Sequence, residues 1–502
     1  MRWLPPLVAL LVLAGPAGAA TIRGTVHGDA LAGTPLPDRI VAGKGNDHVQ
    51  AAFGGADEID CGPGLDVVSA DLGDMVAPSC EIVSRRLSVD TSTNADGQHE
   101  TAVEPDGFAW GSTVVAAFQL GRRESGGATN IGTALSRDAG RTWQRSVLPA
   151  VTVDSSPTGP ETAASDPTVV YDVAHGVWLV ATLTIEPGGS HVYVARSTDG
   201  VHWSAPVDAA SGAILDKEWL VCDNGVASPF RGRCYAEYTD DQKNVTVSQS
   251  SDDGGLTWSQ PVTAADFLVG TQPVVQPNGT LVVVVGDYQG RESATGSIVS
   301  LRSTDGGATF ARFTVSNLES APNGAMRAIA LPSIDVGSDG TIYAAWDDCR
   351  FRPGCAANDI VVSTSPDGVS WSAPTRVPLF PASSTSSAFI PGLGADPAQP
   401  GHLGLVYANY VPGSCQRAAC LLGIGFTQSR DGGRTWIAPQ QLDAKPMQMS
   451  WLARTEGGRM VGDYFSTSFA GGRVIPVFAL AAPPLRDRFR EAIFAASLRA
   501  LR

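Results

Sequence analysis

Charged residues that open or close apolar runs are where this chain could do chemistry. The densest group is Asp216-Lys217-Glu218, which begins the apolar run around Trp219. Two carboxylates and an ammonium there could contact a glycan, hold a metal or form an internal ion pair. A second group, Trp346-Asp347-Asp348-Cys349-Arg350, sets a guanidinium beside two carboxylates, an arrangement that also suits an ion pair holding a loop. Asp463-Tyr464 places a phenol next to an acid late in the chain. Arg327 stands in GAMRAIALPS, and Glu161 and Asp166 lie in ETAASDPTV. Each is read as a strand end facing a central funnel.

A different set of acids lies near the start. Asp29, Asp38, Asp47, Asp57 and Asp66 are spaced by 9, 9, 10 and 9 residues, with Leu31, Ile40, Val49, Ile59 and Val68 each two residues further on. Glycines precede most of these aspartates. The pattern resembles the nonapeptide β-roll of RTX-type calcium-binding proteins. That resemblance implies a roll whose turn aspartates and backbone carbonyls bind Ca²⁺ and whose apolar residues fill a narrow core. Oxygen-rich turns suit Ca²⁺ better than a transition metal. The copies are imperfect: Ala42 stands where a glycine is expected, and Pro63 replaces another.

The elements that must position the first set are announced by a longer repeat. SRDAGRTW, SDDGGLTW and SRDGGRTW open at Ser136, Ser251 and Ser429, with STDGGATF at Ser303 and the shorter STDGVHW and SPDGVSW at Ser197 and Ser365. Six copies at intervals of 50 to 65 residues are the signature of an array. Each follows a short β-rich run. The aspartate is expected to accept hydrogen bonds from the turn's N–H groups while Ser or Thr closes it from the other side. The terminal aromatic packs over the hairpin. These aspartates are therefore structural staples. Between them lie strand-length runs rich in Val and Ile and bounded by turn residues, which predicts an all-β chain. Only DRFREAIFAASLRALR near the end has helical periodicity, and EAIFAASL reads equally as a strand.

Composition narrows the function classes. With 17% charged residues and a net charge of −15, there is no basic stripe for nucleic acid. Residues 1 to 20 read as a secretory signal peptide, and no later run is apolar and long enough to span a membrane. The mature chain is expected to be secreted, extracellular and monomeric. Eight cysteines fall as four local pairs, Cys61 with Cys80, Cys222 with Cys234, Cys349 with Cys355 and Cys415 with Cys420. In an exported chain these are expected to be disulfides that pin surface loops.

The repeated motif is the Asp-box, or BNR repeat, and residues 95 to 502 resemble the sialidase-like superfamily of β-propellers. The resemblance implies an Asp-box propeller of four-stranded blades over 86–502, preceded by the roll over 21–85. Seven blades are expected, six of them stapled, or six if the C-terminal strands complete the first blade. Sialidases hold a substrate carboxylate with three arginines and use a Tyr nucleophile with a Glu partner and an Asp acid. Carried onto this chain, Tyr464 would be the nucleophile and Asp348 or Asp216 the acid. Arg327, Arg350, Lys217 and Glu218 would bind substrate. The family's Arg-Ile-Pro signature is absent. The expected function is thus binding of an extracellular glycan or protein ligand, with exo-α-sialidase-like hydrolysis as the alternative.

Overall fold

A computed structural model describes residues 20–185, 188–288, 295–415, 420–486 and 488–501, so the leader expected over residues 1 to 20 lies outside them except for Ala20. The described chain is all-β apart from two single 3₁₀ turns.

Residues 20–86 form short coils. Strands β1 (Thr21–Arg23), β3 (Arg39–Val41), β5 (Glu58–Asp60) and β7 (Met75–Val76) make one parallel sheet. Strands β2 (Ala30–Ala32), β4 (His48–Gln50), β6 (Val67–Ala70) and β8 (Ile82–Arg86) make the other. A three-residue strand can turn only its central side chain inward. The periodic residues Leu31, Ile40, Val49, Ile59 and Val68 accordingly form the buried core with Ile22. Glycine lets the coils stack: a Cβ on Gly43, at φ 109°, would lie 2.1 Å from the Thr25 carbonyl oxygen.

Among the described residues, seven groups of antiparallel strands follow, over residues 102–147, 163–212, 215–266, 269–319, 333–376, 388–441 and 466–496, the first two bridged into one sheet at Ala128 and Ala164 and the last continuous with the roll through β8. Their first strands are β9 (Ala102–Trp110), β10 (Ala163–Asp172), β11 (Leu215–Cys222), β12 (Val269–Val275), β13 (Ser333–Val336), β14 (Ala388–Ala395) and β15 (Ser466–Ala470). Each packs against the next, and β15 packs back on β9, which closes a ring. The last sheet is completed from the other end of the chain: β16 (Glu491–Ala496) pairs with β8. A neighbour on each side satisfies the backbone of that segment as a strand, which overrides its helical periodicity. The roll is clasped to this sheet. Arg86 and Arg490 lie 4.6 and 5.0 Å from the Phe53 ring centre, and Arg86 also pairs with Asp71 at 2.5 Å.

All four expected disulfides are present, and Cys222–Cys234 ties neighbouring strands of the third sheet at a directly paired position.

Each of the six motifs sits between the third and fourth strands of its sheet. At Asp431, one carboxylate oxygen accepts from the Ser429 hydroxyl at 2.9 Å and the Thr435 N–H at 2.8 Å, and the other accepts from the Thr435 hydroxyl at 2.6 Å. Ser429 in turn accepts from the Gly433 N–H, and Trp436 donates to the Gly433 carbonyl. Asp138, Asp253 and Asp305 repeat these carboxylate contacts. In the short copies, Asp199 and Asp367 cap successive N–H groups instead. The staple reading of these aspartates matches their geometry.

Candidate functional site at the centre of the ring

The seven first strands converge on the ring's centre, and five carry the same irregularity. Two residues on the first strand face one on the second at Glu104-Pro105, Asp166-Pro167, Lys217-Glu218, Gly270-Thr271 and Ile390-Pro391. The leading residue of each bulge has positive φ: 52°, 45°, 55°, 78° and 53°. Such bulges re-aim side chains, and a non-glycine residue in this region costs about 1–3 kcal/mol. Four of the five positions carry that cost. Three of those four carry ionisable side chains, and all three belong to the first three sheets.

These side chains meet. Lys217 Nζ lies 2.5 Å from Asp463 Oδ2 and 3.7 Å from Asp166 Oδ1. Arg327 Nη1 lies 2.6 Å from Asp463 Oδ1 and 3.9 Å from Glu104 Oε1. The Lys217 backbone N–H also donates to Asp166, at 3.3 Å. Glu104 accepts from Gln119, which also donates to Ser165, and the Ser165 hydroxyl donates to Asp166. Arg122 donates to Gln119 and to the Gly127 carbonyl.

Burial sorts the acids. It pushes Asp166 and Asp463 towards neutrality, but Lys217 at the first and Arg327 with Lys217 at the second outweigh it, so both stay ionised and below their ordinary range. Burial, reinforced by Asp166, drives Glu104 well above its ordinary value, and burial does the same to Glu218. Asp106 is raised by burial to about 7 and Glu237 to about 8.

A small cavity opens beside this network. It is lined by Asp166, Lys217, Glu218, Trp219, Asp463 and Tyr464 on one side and by Leu331, Pro332 and Pro391 on the other. Its volume of about 20 Å³ has room for a water-sized group. Both Glu218 carboxyl oxygens are buried and lack a hydrogen-bond partner among the described residues. The Tyr464 ring meets Trp219 edge-on at 4.9 Å, and Trp219 is only half-buried.

Of the residues singled out in the sequence, Asp166, Lys217, Glu218, Arg327, Asp463 and Tyr464 belong to this centre. Asp216 sits beside it and acts electrostatically on Lys217 and Arg327. The proposed roles fare unevenly. The Tyr464 hydroxyl donates to the Pro167 carbonyl at 3.2 Å, and burial raises its pKa, so the phenol is neutral and bonded to backbone. Asp348 and Arg350 do not join the centre. Arg350 grips Asp348 through Nε at 2.8 Å and Nη2 at 2.6 Å and also bonds the Asn317 carbonyl, while Trp346 Nε1 donates to Asp348. This pair is a loop clasp. Glu161 accepts from Tyr193 at 2.5 Å, outside the network. Sequence reasoning missed Glu104, Asp106 and Arg122, because TAVEPDGF and QLGRR look like ordinary strand text.

In the roll, the five aspartates form two ladders. Four of them hold the backbone one coil earlier: Asp47 and Asp66 accept from the N–H of Asp29 and Asp47 at 2.7 and 2.8 Å, Asp57 accepts from Asp38 at 2.7 Å, and Asp38 accepts from Ala20 at 2.9 Å. Asp74 and Glu81 extend the ladders beyond the periodic set. The second oxygens of Asp47, Asp57 and Asp66 are buried and unpartnered among the described residues. Those of Asp57 and Asp38 converge beside Gly33, 3.2 and 3.5 Å from where a Cβ would stand. Asp38 Oδ2 already accepts from the Thr34 N–H, so the Asp57 oxygen is the orphaned one at this glycine-made gap, a donor of the type a hard cation takes.

A closed ring of antiparallel sheets with stapled hairpins and a charged centre defines the class of protein. Residues 112–337 match the BNR repeat-like domain family. No curated protein matches the chain. Among solved structures, a Dyadobacter fermentans protein of unknown function aligns at 16% identity over 69% of this chain and 99% of its own, with a TM-score of 0.42. An α-L-arabinofuranosidase from Fusarium graminearum aligns at 16% identity over 64% and 92%, TM-score 0.41. The endosialidase of phage phi92 aligns at 11% identity over 94% and 76%, TM-score 0.48.

Proposed function

We propose that this is an exported, seven-bladed Asp-box propeller over residues 86–502 that binds a glycan at the centre of its ring. The observation that carries the reading is the cavity floored by Glu218 and flanked by Trp219 and Tyr464. Aromatic faces beside carboxyl groups supply the apolar and polar contacts that a sugar needs. The domain match over residues 112–337 and the staples of the first six blades support the fold half of the reading. The roll over 21–85 is a calcium module. Asp38 and Asp57, with their neighbours in the ladders, would hold the ion, which supplies positive charge to carboxylates otherwise crowded together.

Titrating the full chain with soluble oligosaccharides while following tryptophan fluorescence tests the binding claim. A saturable change that disappears in Trp219→Ala is expected. A saturable change that persists unaltered in that variant places the ligand elsewhere.

A further inference from the structure

The bulge that carries Lys217 also carries Glu218, and the neighbouring bulge carries Asp166. All three line one cavity. Asp166 is held ionised: it receives the Lys217 N–H and faces the Lys217 ammonium, a placement that suits a carboxylate base. Glu218 is the opposite, buried with both oxygens unpartnered, and nothing in the fold explains why a carboxyl group stands there. Leaving such a group unsatisfied costs free energy in a purely structural role. It is understandable in a group that works on something entering the cavity.

We propose that Glu218 and Asp166 are an acid/base pair that hydrolyses a neutral glycoside whose terminal sugar rests at Trp219. This rests on the glycan-binding reading above. The Glu218 carboxyl gives its proton to the glycosidic oxygen as the bond from that oxygen to the anomeric carbon breaks. Asp166 stabilises the positive charge that develops at that carbon. A water oxygen then bonds to the anomeric carbon, and its proton passes to Asp166. Return of the proton from Asp166 to Glu218 completes the cycle with one water consumed. The cavity has room for that water.

Burial keeps Glu218 protonated while Lys217 keeps Asp166 ionised, a division that marks an acid and a base at one site. The groups facing Glu218 are Asp166 from β10, Asp216 and Lys217 from its own strand, and Tyr464 from the segment before β15. The substrate class follows from the cations. Lys217 and Arg327 are both bonded to Asp463, and Arg122 is buried against Gln119 and a carbonyl. Arg350 lies in its loop clasp. Among the described residues at this centre, each of these cations already bonds a carboxylate, an amide or a carbonyl, an arrangement that favours an uncharged sugar.

The test offers the full chain neutral 4-nitrophenyl pyranosides and furanosides of both anomeric forms, beside a 4-methylumbelliferyl sialoside. Release from a neutral substrate is expected. Glu218→Gln should lower kcat by about 100-fold or more, leave KM within a few fold and remove the alkaline limb of kcat/KM. A sialoside as the sole substrate, or turnover indifferent to Glu218→Gln, overturns the assignment. No turnover with intact saturable fluorescence binding rejects hydrolysis and keeps the binding reading, whereas no turnover and no binding rejects both. Should Glu218→Gln fail to fold, the wild-type profile decides, since a flat kcat/KM across the alkaline range contradicts a protonated Glu218.

Discussion

The two ends of each sheet use the same residue types for opposite purposes. In the stapled turns, carboxylates sit in reach of several donors. The Thr309 hydroxyl, aided by the Thr309 N–H and Ser303 and opposed by slight burial, holds Asp305 down at about 2. At the ring's centre, burial dominates and donors are few, so Glu104 and Glu218 stay neutral, and only direct contact with Lys217 or Arg327 keeps Asp166 and Asp463 ionised. A carboxylate surrounded by fixed donors is spent on architecture. A buried carboxyl group short of donors is available for chemistry. Location by sequence motif therefore points away from function in this chain.

The sharpest way to break that contrast is to remove the central cation. Lys217→Met strands Asp166 and Asp463 as buried charges, and equilibrium unfolding should register a loss of about 3–5 kcal/mol. A loss near zero would mean that the network is solvated. Calcium should come next: saturating the full chain at roughly 100 times Kd is expected to stabilise it by about 2.7 kcal/mol, read as a rise in Tm that chelator reverses and that Asp57→Asn diminishes. A single staple is smaller. Asp305→Ala removes three hydrogen bonds at a partly exposed turn and should cost about 1–2 kcal/mol without altering ligand binding per folded molecule.

The shallowest effect per pH unit is the stability profile, where the two ends oppose one another. Asp305 and Asp431 lie at about 2 when folded, against an ordinary 3.8, so their contribution is complete above the unfolded value and fades as pH falls towards 2. For Asp431, burial works against the shift and the Thr435 hydrogen bonds outweigh it. Asp106 and Asp347, at about 7, and Glu237, at about 8, are raised by burial. Their folded forms bind more protons than the unfolded chain, so stability is lost as pH rises from about 4 through 7–8. Thermal melts should peak on the acidic side of neutrality. A maximum above pH 8 would contradict the division.

The difference in legibility has the same origin as the chemistry. The staples and the roll were readable because each is a local device repeated at a fixed period, and six copies of Ser-x-Asp or five copies of Asp-x-apolar make the pattern. The centre is assembled from Glu104, Asp166, Lys217, Arg327 and Asp463, which are far apart in sequence and share no local pattern. Three of them, Glu104, Asp166 and Lys217, share a backbone feature, a bulge with positive φ, and at Glu104-Pro105 it leaves no side-chain signature beyond a following proline. Lys217, Glu218, Arg327 and Tyr464 were noticed as charged or aromatic residues at strand ends, but so were Asp348 and Arg350, because charge density alone cannot tell a channel from a loop. The role given to Tyr464 came from resemblance. Its actual environment, with the hydroxyl on the Pro167 carbonyl and the ring against Trp219, depends on contacts nearly 300 residues away.

The central claim, that the turns carry the fold and the ring's centre carries the ligand, is tested most directly by measuring Tm and oligosaccharide affinity together for Asp305→Ala and Trp219→Ala. The account predicts that Asp305→Ala lowers Tm and keeps the affinity, while Trp219→Ala keeps Tm nearly unchanged and abolishes saturable binding. Loss of affinity in Asp305→Ala with undiminished binding by Trp219→Ala would contradict it.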